Sequence, residues 1–220
     1  MWYATITLAL LLIYFLYKNR SRLSLLIPSK RGTKSERKLA SMLKKHGLAP
    51  ETIFHDLYLQ MHNDFYAQID LVVPTKVGML VFEVKDYSGW IFGSGDKKNW
   101  VQILNFGQNK YYFYNPILQN EKHILNLKKQ ISQFENVPFF SIIVFFGNCT
   151  LKEINKVPEN TFVIKSDKVE ELLNKIINDS KPAYYSNKFE IIDLLTLAVK
   201  NGDNKEIVLR HGENLKKMYG

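Results

Sequence analysis

One cysteine, Cys149, occurs in 220 residues. That excludes an intrachain disulfide and a cysteine-built zinc site. Because Cys149 follows the apolar run 139–146, it reads as a half-buried, inert thiol. The histidines, at positions 46, 55, 62, 123 and 211, never fall three or four apart, so a helical histidine metal cluster finds no support. No acid occurs in residues 1–35, which hold Lys18, Arg20, Arg22, Lys30, Arg31 and Lys34. Of the net charge of +9, six charges therefore sit in that segment, and about +3 remains for residues 36–220. The excess describes the beginning of the chain and not a basic binding face. Repeats and low-complexity tracts are absent. With 46% hydrophobic and 23% charged residues, the composition excludes disorder as the default and suits one domain with a small appendage.

Residues 1–17, MWYATITLALLLIYFLY, contain no charge. As a helix they would span roughly 25 Å, the short end of what crosses a bilayer core of about 30 Å. Trp2 and Tyr3 at one end and Tyr14 and Tyr17 at the other suit both interfaces. A cleaved signal needs a basic stretch before the apolar run and small residues after it. Here nothing basic precedes the run, and KNRSRLSLLIPSKR follows, so the expectation is an uncleaved anchor. The basic stretch at 18–31 would face anionic lipid and stay cytoplasmic. That places the N-terminus outside and the rest of the chain inside, in agreement with the scarcity of cysteine.

Beyond residue 31, periodicity predicts a helix at 34–47, strands at 51–60, 66–73, 78–86, 89–93, 100–104 and 110–114, and a helix from Pro116 to about 134. PFFSIIVFFGN from Pro138 suits a central strand covered on both faces. A strand at 161–165 and helices at 167–178 and 187–200 follow, then a polar tail at 201–220. The expected fold class is α/β, a mixed central β-sheet flanked by helices, preceded by one transmembrane helix.

Strands two and three carry charges where apolar residues belong: QIDLVV at 68–73 and LVFEVK at 80–85. Side chains alternate along a strand, so Gln68 and Asp70 share one face and Glu83 and Lys85 share one on the next strand. A hairpin through residues 75–78 would bring Asp70 beside Glu83 or Lys85. Two acids that repel accommodate a hard divalent cation, and a lysine nearby can orient water or stabilise charge on a phosphate. The competing structural reading is a solvated Glu83–Lys85 ion pair, which balances the catalytic one on these residues alone.

The motifs GTKSERKLASML (32–43), AQIDLVV (67–73), GMLVFEVKDYSGWIFG (78–93), Trp100 and NPILQNEKHILNLKKQI (115–131) resemble, in that order, the nuclease-related domain family, NERD, which is similar to PD-(D/E)XK endonucleases. The resemblance covers about 32–145 and implies a restriction-endonuclease-like fold. It also implies a site of Glu36, Asp70, Glu83 and Lys85, with Asp70, Glu83 and Glu36 on Mg²⁺ or Mn²⁺ and Gln68 alongside. Glu36 reads equally as an exposed first-turn acid favoured by the helix dipole. Gln119 is the family's helix glutamine; as a residue it reads more readily as solvated. Gly89 and Trp90 read as turn and packing residues. Ser35 stands where the family commonly has glycine, and Ile69 where the wider superfamily has proline. Residues 146–200 are expected to complete the domain.

The function this implies is a membrane-anchored, metal-dependent nuclease cutting DNA on the cytoplasmic side of a bacterial cell, with RNA left open as substrate. The alternative is a catalytically silent nuclease-like module that binds nucleic acid or protein at the membrane. The nearly neutral body favours the alternative, since tight DNA binding draws on several phosphate contacts.

Overall fold

The computed structural model describes residues 31–61 and 65–219. The apolar run 1–17 and the basic stretch up to residue 30, which carry the expectations of an anchor and its orientation, lie outside the described residues. Among the described residues no helix is long and apolar enough to cross a membrane.

Helix α1 (Lys34–Lys45) leads into strands β1 (Phe54–Gln60), β2 (Tyr66–Thr75) and β3 (Gly78–Asp86), an antiparallel meander. Strands β4 (Gly89–Ser94), β5 (Asn99–Leu104) and β6 (Asn109–Tyr114) form a second meander. Helix α2 (Pro116–Lys128) returns the chain to β7 (Phe139–Phe146), which pairs parallel with β3. Strands β8 (Cys149–Asn155) and β9 (Thr161–Lys165) and helices α3 (Val169–Asp179), α4 (Lys188–Asn201) and α5 (Lys205–Tyr219) complete the chain.

The expected single mixed sheet is two mixed sheets. One has five strands in the order β1-β2-β3-β7-β9, the other four in the order β6-β5-β4-β8. The polar stretch at 201–220 is helical over Lys205–Tyr219. α5 is fixed against the sheet through His211, whose Nδ1 lies 2.8 Å from the Tyr66 carbonyl and whose ring meets Tyr58 edge-on.

Alternation along β3 and β7 builds two cores. Leu80, Phe82, Ile142 and Val144 pack under Leu39 and Leu43 of α1 and Leu172, Leu173 and Ile176 of α3. Met79 and Val81 point the other way, under Leu127 of α2 and Ile191, Leu195 and Ala198 of α4. Each such side chain, fully buried, contributes about 1.5–3 kcal/mol.

The second sheet is pinned to the first by a smaller cluster of Ile91, Trp100, Ile117, Ile143 and Phe145, in which the Trp100 and Phe145 rings stack in parallel at 6.2 Å. Gly89 makes the step between sheets at φ +77°, and a Cβ there would strike the Ile103 carbonyl, so its reading as a turn residue holds. Trp90 does not pack in the core. It is 37% exposed on the open face of the second sheet, under the Lys152 ammonium.

Candidate active site

The β2–β3 ladder pairs Leu71 with Phe82, so its next step brings Asp70 level with Glu83 where the two strands part. The β1–β2 ladder pairs His55 with Leu71 and Leu57 with Ile69, which puts Asp56 on the same level from the other side. Asp56 adopts φ 54° and leaves the ladder there; aspartate tolerates that left-handed conformation better than most residues. Three acids from three neighbouring strands thus stand in one row.

Glu83 is 1% exposed, and its oxygens meet two bases. Lys85 Nζ lies 2.6 Å from Oε1, and His123 Nε2 lies 3.4 Å from Oε2. Lys85 Nζ also donates to Gln119 Oε1 at 3.0 Å. Gln119 and His123 are four apart on α2, hence on one face of the helix. Asn120 locks that helix down by donating to the Val81 carbonyl at 2.8 Å and to Ser141 Oγ at 2.9 Å. Gln119 therefore faces the site, against the solvated reading its sequence context favours.

Burial pushes the Glu83 carboxyl up, but His123 and Lys85 outweigh it and leave the group below the ordinary glutamate range. Burial likewise opposes the Lys85 charge, and the Glu83 carboxylate overcomes it, so the ammonium is held above the usual lysine value.

Asp70 is settled differently. Its Oδ2 accepts a 2.7 Å hydrogen bond from the Val84 amide, and Lys85 also attracts it. Desolvation, then the charges of Glu83 and Glu36, nevertheless hold its carboxyl well above the usual aspartate range.

Glu36 arrives from α1, whose first turn is closed by a reciprocal cap. Thr33 Oγ1 accepts from the Glu36 amide at 3.2 Å and donates to Glu36 Oε1 at 2.8 Å. Glu36 is 4% exposed, not the solvated first-turn acid its position also permits. Burial raises its carboxyl above the glutamate range, Thr33 opposes that, and the charges of Asp56 and Glu83 add to it.

Buried polar atoms lacking a hydrogen-bond partner among the described residues include Glu36 Oε2, Glu83 Oε2 and both ring nitrogens of His123. Gly32 stands at φ +74°, and a Cβ there would come within 2.6 Å of that free Glu36 oxygen. Glycine keeps the space beside it open. Among the described residues no three His, Cys, Asp or Glu side chains form a ready-made cation cage. The acids face one another without being drawn onto a common point.

Among the acids Gln68 reaches Asp56 alone by hydrogen bond: its amide donates to Asp56 Oδ1 at 3.0 Å, Arg31 Nε meets Asp56 Oδ2 at 3.0 Å, and Gln68 lines the cavity with Asp70. Ser35, in place of the family's glycine, hydrogen-bonds Asp86 at the end of β3 and so ties α1 to that strand. The sequence reading missed His123 and Asp56. For His123 the available signal was its spacing from Gln119; for Asp56 none existed, because ETIFHDLYLQ alternates as a plain strand would.

A cavity of about 490 Å³ opens beside Asp70, Gln119 and His123. A second, of about 510 Å³, lies between the end of β2 and α4 among Pro74, Thr75, Tyr185 and Ile191, away from these acids.

Comparison with known proteins now adds to this geometry. The family model described as NERD, nuclease-related domain, matches residues 31–146. An uncharacterized protein of Bacillus anthracis is 32% identical over 129 residues, which cover 59% of each chain. The chain thus spans about three fifths of the length of that curated relative. No solved structure matches.

Proposed function

The chain belongs to the nuclease-related domain family, and on that footing we propose that it hydrolyses DNA phosphodiester bonds with the aid of a divalent cation. One observation carries the reading. Desolvation first, then neighbouring carboxylates, raises Asp70 and Glu36 beside Glu83, and Glu36 Oε2 is buried without a hydrogen bond. A buried set of acids short of positive charge fits a hard cation with oxygen ligands. Asp70 and Glu83, with Glu36, would hold Mg²⁺ or Mn²⁺. When bound, such an ion neutralises charge on a phosphate and makes water a better nucleophile.

The remaining work falls to the chain's own groups. Lys85 carries a fixed proton and a fixed position, since Gln119 and Glu83 take two of its three donor directions. The third is available to a phosphate oxygen or an attacking water. Gln119 adds a second fixed point, accepting from the ammonium at 3.0 Å while Glu83 holds it at 2.6 Å. His123, whose Nε2 stands 3.4 Å from Glu83 Oε2, holds that carboxylate from the helix side.

Residues 1–17 would anchor this domain in the membrane. Residues 18–31 would lie on anionic lipid and hold the domain on the cytoplasmic side. Arg31, the last of that stretch, is bolted to the domain by Asp56 and by Asp203 Oδ1 at 2.6 Å.

The second reading, a silent module, draws on the near-neutral charge of residues 36–220. Purified full chain offered single-stranded DNA, duplex DNA and RNA with Mg²⁺ or Mn²⁺ separates the two. Cleavage that chelator stops and that Asp70→Asn abolishes supports hydrolysis. Well-folded protein that cuts none of the three, and whose calorimetric uptake of Mn²⁺ is absent, refutes it.

A further inference from the structure

The cavity beside the acids continues onto the open face of the second sheet, and Tyr114 belongs to both. It lines the cavity with Asp70 and His123, and as the last residue of β6 it shares a strand face with Tyr112 and Lys110. Across the sheet, Lys110 is level with Ile103 and then Trp90, while Tyr112 is level with Val101 and then Phe92. Trp100, Ile91 and Phe113 turn to the opposite, buried face. The open face thus presents Tyr112 at 71% exposure and Trp90 and Tyr114 at 37% each. Lys110 and Lys152 flank them, against Glu153 on β8, which pairs level with Phe92.

Aromatic side chains two residues apart on a strand stand roughly 6.6 Å apart. Tyr112 and Tyr114 at that spacing, with lysines beside them, offer a stacking platform for unpaired bases, and Trp90, two strands away under Lys152, extends it across the sheet. A duplex hides its base faces and is held through many phosphate contacts, for which a body of about +3 is poorly equipped. The cavity itself is large enough for one nucleotide, and Phe65 and Leu215, 46% and 38% exposed, form its apolar wall. Leu215 comes from α5, beyond the matched family region.

We propose that Trp90, Tyr112 and Tyr114 form a track for single-stranded nucleic acid. The track delivers one unpaired nucleotide at a time into the cavity beside Asp70, where α5 closes the far wall. The inference rests on the reading of the acids as a phosphodiester-cleaving site and adds the substrate form. It makes duplex DNA a substrate only where strands are frayed or gapped.

The test is fluorescence anisotropy of the full chain in detergent and chelator, with labelled oligothymidine and with a blunt duplex of equal length. Tyr112→Ala combined with Tyr114→Ala should weaken oligothymidine binding roughly tenfold or more and duplex binding less than about twofold. Tyr112→Trp with Tyr114→Phe should restore single-strand affinity, which a merely structural role for the hydroxyls would not predict. Oligothymidine affinity unchanged in the double alanine variant overturns the track, as does equal loss on both probes. A parallel Mg²⁺ cleavage assay keeps the two ideas apart. A chain that cuts DNA while its single-strand affinity ignores the tyrosines overturns the track alone. A chain that cuts nothing while the tyrosines still set affinity upholds the track and overturns hydrolysis.

Discussion

Two neighbouring acids, thirteen positions apart in the chain and level with one another in the sheet, end in opposite electrostatic states. Glu83 is almost fully enclosed yet held below its ordinary range, because Lys85 and His123 stand against its oxygens. Asp70 has a single backbone hydrogen bond, and desolvation together with the charges of Glu83 and Glu36 drives it up. The protein supplies positive charge to one side of the site and withholds it from the other. That asymmetry leaves the carboxylates of Asp70 and Glu36 the less compensated ones. It also shows that a charged triplet which is stable as an ion pair can sit directly beside one that is not.

The largest effect should come from breaking the settled side. Glu83→Gln removes the carboxylate charge facing the buried Lys85 ammonium and should cost on the order of 3–5 kcal/mol in stability, read as a lower urea midpoint at neutral pH. Nuclease activity should fall by at least about a hundredfold. The pH sense follows from the depressed carboxyl. Its contribution is present above the ordinary glutamate range and is lost as pH falls through the lower folded value. The difference between parent and variant should therefore shrink on acidification. A variant as stable as the parent at neutral pH would show that the Glu83–Lys85 pair is not what holds this corner.

Asp70→Asn should do the reverse to stability while also abolishing cleavage. A carboxyl raised in the folded state favours the fold at low pH. That advantage disappears as pH climbs from the unfolded aspartate range through the elevated folded value. In chelator at neutral pH the asparagine variant should be more stable than the parent by at least about 1 kcal/mol. The gain should vanish in acid. Mg²⁺ or Mn²⁺ at a hundred times its dissociation constant should then raise the parent by about 2.7 kcal/mol and leave the variant nearly unmoved. Thermal unfolding with and without metal reads all of this. A loss of stability in chelator would mean that Asp70 is a structural acceptor for the Val84 amide and little more.

The row of acids was legible in the sequence wherever strand alternation applied. Asp70, Glu83 and Lys85 interrupt apolar runs; period two puts Glu83 and Lys85 on one face, and an assumed hairpin register brings Asp70 beside them. The same local logic recovered the strands at 89–93, 100–104 and 110–114. It could not tell that they leave the first sheet, because that depends on Gly89 and on the distant Trp100–Phe145 contact. Strand β8 escaped for a different reason. A register shift opposite Ile91 and Phe92 breaks its alternation, so Cys149, Leu151 and Ile154 do not fall in period two. His123 lay on a helix whose face is set by the buried Asn120, which reads as an ordinary polar residue until its partners on β3 and β7 are known. Helix α5 reads as a polar tail because its hold on the domain runs through His211 and Leu215, four apart among charged residues.

The smallest of these effects is the most discriminating for the settled side. Gln119 contributes one hydrogen bond to a lysine that already has an ion-pair partner. Gln119→Ala should therefore cost only about 1 kcal/mol in stability. If the amide serves merely to tidy a helix surface, turnover should follow stability and change little. If it keeps the ammonium aimed into the space beside Asp70, kcat should fall roughly tenfold with KM nearly constant, since the loss falls on the transition state and not on substrate binding. Gln119→Glu sharpens the comparison by adding a second acid to the lysine side. It should pull Lys85 away from Glu83, raise the Glu83 carboxyl toward the state of Asp70, and erase the asymmetry between the two halves. The pH–stability profile of that variant, losing its acid-side slope, is the measurement that would show one half of the site converted into the other.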